Sequence, residues 1–149
     1  MADLQRHARA HWSGDLRRGS GTTSTDSGAF RDLPYSVPSR FENAKGTNPE
    51  ELLAAAHASC FSMMLAKVLG DQSKQAKAID TKATLTLSQR DGGWKISKIH
   101  LETEASGEGL TEDILKRAAE QAKEQCPVSV LLKPGLEAIT LEVRLKPGA

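Results

Sequence analysis

The chain has two cysteines, Cys60 and Cys126, and these are its side chains best suited to covalent chemistry. Cys60 sits within Leu52-Leu53-Ala54-Ala55-Ala56-His57-Ala58-Ser59-Cys60-Phe61-Ser62-Met63-Met64-Leu65. That apolar run is too long for an ordinary strand and reads as a helix buried on nearly every side. Cys126 closes a second helical pattern and directly precedes Pro127. A thiol reacts as its thiolate, so a redox-active cysteine needs access and a stabilised negative charge. Burial alone raises a thiol's pKa and leaves it inert, so a working Cys60 requires a cation brought from elsewhere in the fold. Arg40 and Lys45 lie in what reads as a loop before the helix. Arg40 is the better choice, because guanidinium stays charged when partly desolvated and offers a fork of donors. An acid must hold it, and Glu50 and Glu51 are both near in sequence. Cys126, at the start of whatever follows Pro127, has a helix N-terminus to favour its thiolate and could attack an oxidised Cys60 to close a disulfide.

Two plainer readings stand beside the redox pair. Free cysteine is among the most buried residue types, so both thiols could be small core hydrophobes. A metal site of His57, Cys60 and Cys126 has His57 and Cys60 on one helix face, but no fourth ligand and no CxxC spacing. His57 otherwise reads as a hydrogen-bonded core histidine, and Met63 and Met64 as core filler, with a place in a substrate pocket as the alternative.

The elements that must position these groups follow from the pattern. In Arg6 to Trp12, Ala8, Ala10 and Trp12 alternate with His7, Arg9 and His11, as in a half-buried strand. Gly14-Asp15 turns the chain, Gly19 to Thr25 suits a twisted hairpin, and Leu33 to Pro38, with two prolines, reads as a loop or edge segment. Asn48 as N-cap, Pro49 at the first helical position and Glu50-Glu51 in the first turn mark a helix start, and Gly70 marks its end. Ile79, Thr81, Ala83, Leu85 and Leu87 share a strand face, Asp91-Gly92-Gly93 turns, and the return strand changes phase near Ser97-Lys98, which predicts a β-bulge. Thr111 caps a helix whose inner face carries Ile114, Ala118, Ala122 and Cys126. A short helix runs from Pro127 to about Leu132, and Ile139, Leu141, Val143 and Leu145 alternate in a last strand. This order lacks regular βαβ alternation, so the expected class is α+β with largely antiparallel sheets.

Length and composition set the frame. At 149 residues the chain is most simply one domain, residues 1–149, long enough to build a core without staples. A formal net charge of +1 gives no reason to expect nucleic acid or an anionic membrane as partner. Two cysteines are too few for a secreted disulfide framework, and Met1 to His11 has no apolar signal core. Leu52 to Leu69 approaches membrane-spanning length but carries His57, Ser59, Ser62 and Lys67 and much alanine. A soluble cytoplasmic protein is expected.

Six stretches carry a resemblance. Arg40-Phe41-Glu42, then Gly46-Thr47-Asn48-Pro49-Glu50-Glu51-Leu52, then Ala56-His57-Ala58-Ser59-Cys60-Phe61-Ser62 closely resemble the OsmC/Ohr family of osmotically inducible and organic hydroperoxide resistance proteins. Cys126-Pro127-Val128-Ser129 resembles the family's second cysteine motif, and Ala10-His11-Trp12-Ser13-Gly14-Asp15 with Gly19 to Gly28 resembles the OsmC branch. The resemblance implies a thiol peroxidase acting on organic hydroperoxides, and less well on hydrogen peroxide. It implies Cys60 as the peroxidatic and Cys126 as the resolving cysteine, Arg40 as the thiolate-stabilising cation and Glu50 as its partner, with Glu51 the fallback. It further implies an intertwined homodimer, with curved antiparallel sheets around two central helices. No metal or organic cofactor is implied; an external dithiol, such as a lipoylated protein, resets the disulfide. Helix geometry adds one expectation. Glu50 and Cys60 are ten positions apart on one helix, about 15 Å along its axis at about 1.5 Å per residue. If both serve one site, that site must combine two chains. Leu53, Phe61, Met64 and Val130 are expected to line an apolar approach to Cys60.

Overall fold

The computed structural model describes residues 1–147. The chain divides into two compact units, Met1–Leu52 and the remainder from Leu53, with the boundary inside a helix.

The first unit holds strands β1 (Ala8–Ser13), β2 (Ser20–Thr25) and β3 (Leu33–Tyr35), in that order in an antiparallel sheet, and a short helix α1 (Val37–Phe41). The hairpin is as expected, with Trp12 opposite Gly21. Glycine is required there because a Cβ would lie 2.4 Å from the Tyr35 ring. Trp12 and Tyr35 stack at 5.6 Å between centroids, and the Tyr35 hydroxyl donates to the His11 carbonyl at 3.1 Å.

The segment expected as a loop or edge segment is edge strand β3 running into α1, and Arg40, expected in a loop, is on that helix. The cause is a reciprocal cap. The Ser39 N–H donates to Ser36 Oγ at 3.2 Å, and the Ser36 N–H donates to Ser39 Oγ at 2.9 Å. Serine at the third helical position does what glutamate usually does in a capping box, and Pro38 is tolerated in the first turn, where its missing N–H has no partner to lose. Among the described residues, no apolar side chain of this unit is fully buried.

Helix α2 (Pro49–Asp71) begins as its signals require, with the Glu51 N–H donating to Asn48 Oδ1 at 2.8 Å. It is long and apolar enough to cross a membrane by length and composition. Its Phe61, Leu65, Val68 and Leu69 nonetheless pack in the protein core. It is not buried on nearly every side: Ala55, Ala56, Ser59, Met63 and Ala66 are exposed, and Met63, expected as core filler, is 75% exposed. Met64 is half-buried against the core.

The second unit continues with β4 (Ala78–Arg90), β5 (Gly93–Ser106), α3 (Glu112–Gln125), α4 (Pro127–Leu132), a single 3₁₀ turn and β6 (Ala138–Leu145). Strands β4 and β5 form the long antiparallel hairpin. Thr86 faces Lys98 and Leu87 faces Ile96, so Ser97 is the extra residue of the predicted bulge, buried, with its hydroxyl 2.8 Å from that of Ser88. Strand β6 runs parallel to β5, so the sheets are largely antiparallel, as expected, with this one parallel pairing. The helices α3 and α4 return the chain to the start of β5, and such a crossover yields a parallel neighbour. The core joins Phe61, Leu65, Val68 and Leu69 to Ile99 and Leu101 of β5 and to Leu115, Ala118, Ala119 and Ala122 of α3. Helix α3 is capped by Thr111, whose Oγ1 accepts from the Ile114 N–H at 3.3 Å. Of its expected inner face, Ala118, Ala122 and Cys126 are buried and Ile114 is half-buried; Leu115 and Ala119 complete the stripe.

Leu65 is fully enclosed. Leu65→Ala is expected to destabilise the fold by about 2–5 kcal/mol, the range for a buried leucine that leaves a cavity. Urea denaturation checks this, and a midpoint shift corresponding to well under about 1 kcal/mol would show that the site collapses around the smaller side chain.

Candidate active site

In the second unit the two thiols lie together. Cys60, on the fourth turn of α2, is half-buried; Cys126, between α3 and α4, is completely buried, and both are free. The thiols share a hydrogen bond, and the Val128 backbone N–H donates to the Cys60 sulfur. Burial is the largest influence on Cys60 and pushes its pKa up; the Val128 N–H opposes this, while the bond to Cys126 and the charge of Cys126 push it up further. A first-turn amide of α4 therefore serves Cys60, where the sequence reading assigned that helix end to Cys126. Cys126 is the N-cap residue of α4, but its side chain makes no capping bond.

Behind the thiols, His57 Nε2 lies 2.6 Å from Ser129 Oγ, both residues buried. Burial lowers the pKa of His57, so its imidazole is neutral at neutral pH. His57 is the hydrogen-bonded core histidine expected, and its Nε2 is committed to Ser129. Among the described residues, the His, Cys and acidic side chains close enough to hold a cation are instead His100, Glu102 and Glu142 on sheet strands β5 and β6. Those are already engaged, His100 by Thr140, Glu102 by Lys82 and Glu142 by Arg144.

In the first unit, Arg40 Nε donates to both carboxylate oxygens of Glu50 at 3.0 Å, and Nη2 donates to Oε1. Of the two acids left open by the sequence, Glu50 meets Arg40, while Glu51 accepts from Thr47 Oγ1 at 3.1 Å. The pair is held on a tied frame. Asn48 Nδ2 donates to the Ser39 carbonyl at 3.1 Å, and Ser39 Oγ donates to the Thr47 carbonyl at 2.8 Å. These bonds lock the end of α1 to the start of α2. Ser39, Thr47, Asn48 and Ser129 thus support the candidate residues although none was singled out for it; the S-x-x-S spacing around Ser39 was the one local signal available.

Among the side chains expected near Cys60, Leu53 and Met64 are half-buried, Val130 is 56% exposed, and Phe61 is enclosed in the core. Phe61 therefore packs the interior rather than lining an approach. Leu131, 75% exposed beside Val130, extends the apolar surface of α4.

The sequence profile of the family described as OsmC-like protein matches residues 42–142. The chain belongs to this family. Its OsmC-like sequence is 44% identical over 143 residues to the peroxiredoxin OsmC of Escherichia coli strain K12, covering 96% of this chain and 98% of that protein. Among solved structures, the organic hydroperoxide resistance protein OsmC of Legionella pneumophila superposes with a TM-score of 0.76 at 22% identity, covering 99% of this chain and all of that one. The organic hydroperoxide resistance protein OhrB of Bacillus subtilis does so at 0.70 with 25% identity, covering 94% and 98%. The fold is the α+β OsmC-like fold anticipated from the sequence.

Proposed function

We propose that the protein is a cysteine-based peroxidase reducing organic hydroperoxides, and hydrogen peroxide more weakly. The observation that carries this reading is the pair of free thiols in hydrogen-bond contact, one of them half-exposed. The names of the relatives, a peroxiredoxin and organic hydroperoxide resistance proteins, agree with it. In the proposed cycle Cys60 gives up its proton and its thiolate attacks the outer peroxide oxygen; the O–O bond breaks, the alkoxide takes up a proton and leaves as the alcohol, and Cys60 becomes a sulfenic acid. The Cys126 thiol gives up its proton and attacks the Cys60 sulfur, the S–O bond breaks, the departing hydroxide takes up a proton as water and a disulfide forms. An external dithiol, with a lipoylated protein as one class, returns both cysteines to thiols, so the electrons come from sulfur and no metal or organic cofactor is needed.

Reduced protein titrated with cumene hydroperoxide is expected to lose two thiols per chain and gain one internal disulfide. Absence of stoichiometric thiol loss would favour a non-catalytic, small-molecule-binding or structural dimer. Substrate preference follows from the apolar surroundings of Cys60, where Leu53 and Met64 are half-buried. At about 0.8 kcal/mol for each buried methylene, a bulky organic hydroperoxide is expected to exceed hydrogen peroxide in kcat/KM by at least about tenfold. Equal values would remove the apolar argument.

Because burial pushes Cys60 up, the reading needs a cation, and Arg40 held by Glu50 is proposed for that role. Arg40→Ala is expected to move the pH midpoint of peroxide reduction upward by about 1–3 units, the usual span for a nearby opposite charge. The pH–rate profile of the first step reads this, and an unmoved midpoint would dismiss Arg40.

The active form is proposed to be a homodimer. Glu50 and Cys60, ten positions apart on α2, are proposed to act together only across chains. A mixed dimer of Cys60→Ser and Glu50→Ala chains is then expected to recover up to half the wild-type activity. A mixed dimer as inactive as its parents would sink the cross-chain arrangement.

A further inference from the structure

His57 precedes Cys60 by three positions on α2, and Ser129 follows Cys126 by three positions. Their 2.6 Å contact is therefore a bridge between the two cysteine-bearing segments, one helical turn from each sulfur. Both residues are shut off from water. His57 Nδ1 is also buried and has no hydrogen-bond partner. A neutral imidazole carries one N–H, and a buried donor left unpaired is more costly than a bare lone pair with the proton used elsewhere. The proton therefore belongs on Nε2, which donates to Ser129 Oγ, and Nδ1 is left as the unpaired acceptor. Ser129 is in the first turn of α4, next to Val128, whose N–H donates to Cys60. A short, directional bond in a dry interior fixes the height and rotation of that turn on α2 more tightly than the adjoining half-exposed apolar contacts of Val130 can.

We infer that His57 and Ser129 form the positioning pair of the thiol site, holding the Val128 N–H and the Cys126 sulfur on Cys60 so that disulfide closure outruns over-oxidation. This deepens the peroxidase reading and rests on it. The competing fates balance as follows. Sulfenic Cys60 and the Cys126 thiol give a disulfide and water, whereas sulfenic Cys60 and a second hydroperoxide give sulfinic acid and an alcohol. Neither His57 nor Ser129 touches the peroxide; both act through the geometry of the sulfurs.

The experiment is a rapid-mixing series with cumene hydroperoxide, quenched and read by mass spectrometry, on wild type, Ser129→Ala, His57→Leu and His57→Gln. Ser129→Ala and His57→Leu are expected to slow disulfide closure at least about tenfold and to raise the sulfinic fraction as peroxide increases, because the attacking sulfur is no longer held in place. His57→Gln, whose side-chain amide can donate to Ser129, is expected to restore closure to within about threefold of wild type. Closure unchanged in Ser129→Ala overturns the inference. So does a loss that tracks the melting temperature alone and is no better in His57→Gln than in His57→Leu. Thiol–disulfide equilibrium in a dithiothreitol redox buffer, read by alkylation, needs no peroxide. In it the Cys60–Cys126 disulfide of Ser129→Ala is expected to be at least about tenfold less favoured than in wild type. Should the wild type show no peroxide reaction, the peroxidase reading fails, and this equilibrium alone decides the positioning role: an unchanged constant rejects it.

Discussion

Cys60→Ser is expected to abolish peroxide reduction, and Cys126→Ser to react once and then stop. The two thiols touch, but their settings differ. Cys60 is half-exposed and accepts the Val128 N–H, whereas Cys126 is completely enclosed. A hydroperoxide from solvent meets Cys60 first, because Cys126 is enclosed and the remaining sulfurs are methionine thioethers. With serine at position 60 the rate should fall to that of buffer, since an alcohol stays protonated where a thiol ionises. With serine at 126 the first step survives, but the sulfenic acid has no partner and drifts to sulfinic and sulfonic acid under excess peroxide. Intact-protein mass spectrometry distinguishes the two variants directly. Normal turnover of Cys126→Ser with a dithiol, without over-oxidation, would mean that the reductant attacks Cys60 itself and that Cys126 is core packing.

What the sequence made legible was mostly local. Asn48-Pro49-Glu50-Glu51 dictates a helix start because cap, fixed φ and dipole all act within a turn, and that start is found. The phase change at Ser97 foretold the bulge because strand faces alternate strictly, so one inserted residue is visible as a slip. Tertiary choices were less visible. Nothing in the alternation of Ile139 to Leu145 says whether the strand runs with or against β5; the direction is set by the α3–α4 crossover. Helix α2 was overread: alanine, serine and methionine make any face apolar enough to be taken as core, and only the packing separates Phe61 and Leu65 from Met63 and Ala66. For the site, residue types nominated Cys60, Cys126, Arg40 and Glu50. The Val128 amide carries no sequence signal, since a backbone N–H is the same in every residue but proline, and its aim at Cys60 exists only once α4 is laid on α2.

The overread helix leads to the second large effect. Met63→Glu is expected to split the proposed homodimer. Along α2, Ala55, Ala56, Ser59, Met63 and Ala66 form an exposed, small and weakly polar face, and α4 adds exposed Val130 and Leu131. Apolar surface of this kind is unusual on a chain that remains alone, and alanine at three of these sites, Ala55, Ala56 and Ala66, allows close helix approach. The first unit points the same way, since it buries no apolar side chain among the described residues and its sheet has no apolar core of its own. A second copy related by a two-fold axis would cover like with like. An unpaired carboxylate placed in such an interface costs about 3–5 kcal/mol, which weakens association by about two to four powers of ten. Sedimentation velocity should therefore find a dimer in wild type and a monomer in Met63→Glu at micromolar concentration. Gln121→Glu, at an exposed position on α3, adds one carboxylate outside this face, is the control for added charge alone and should leave the dimer intact. Activity should fall with the dimer in Met63→Glu, and raising the protein concentration should recover both together, because only mass action links them. A wild type that is monomeric yet fully active would mean that the open face of α2 serves another partner and that each chain completes its own site.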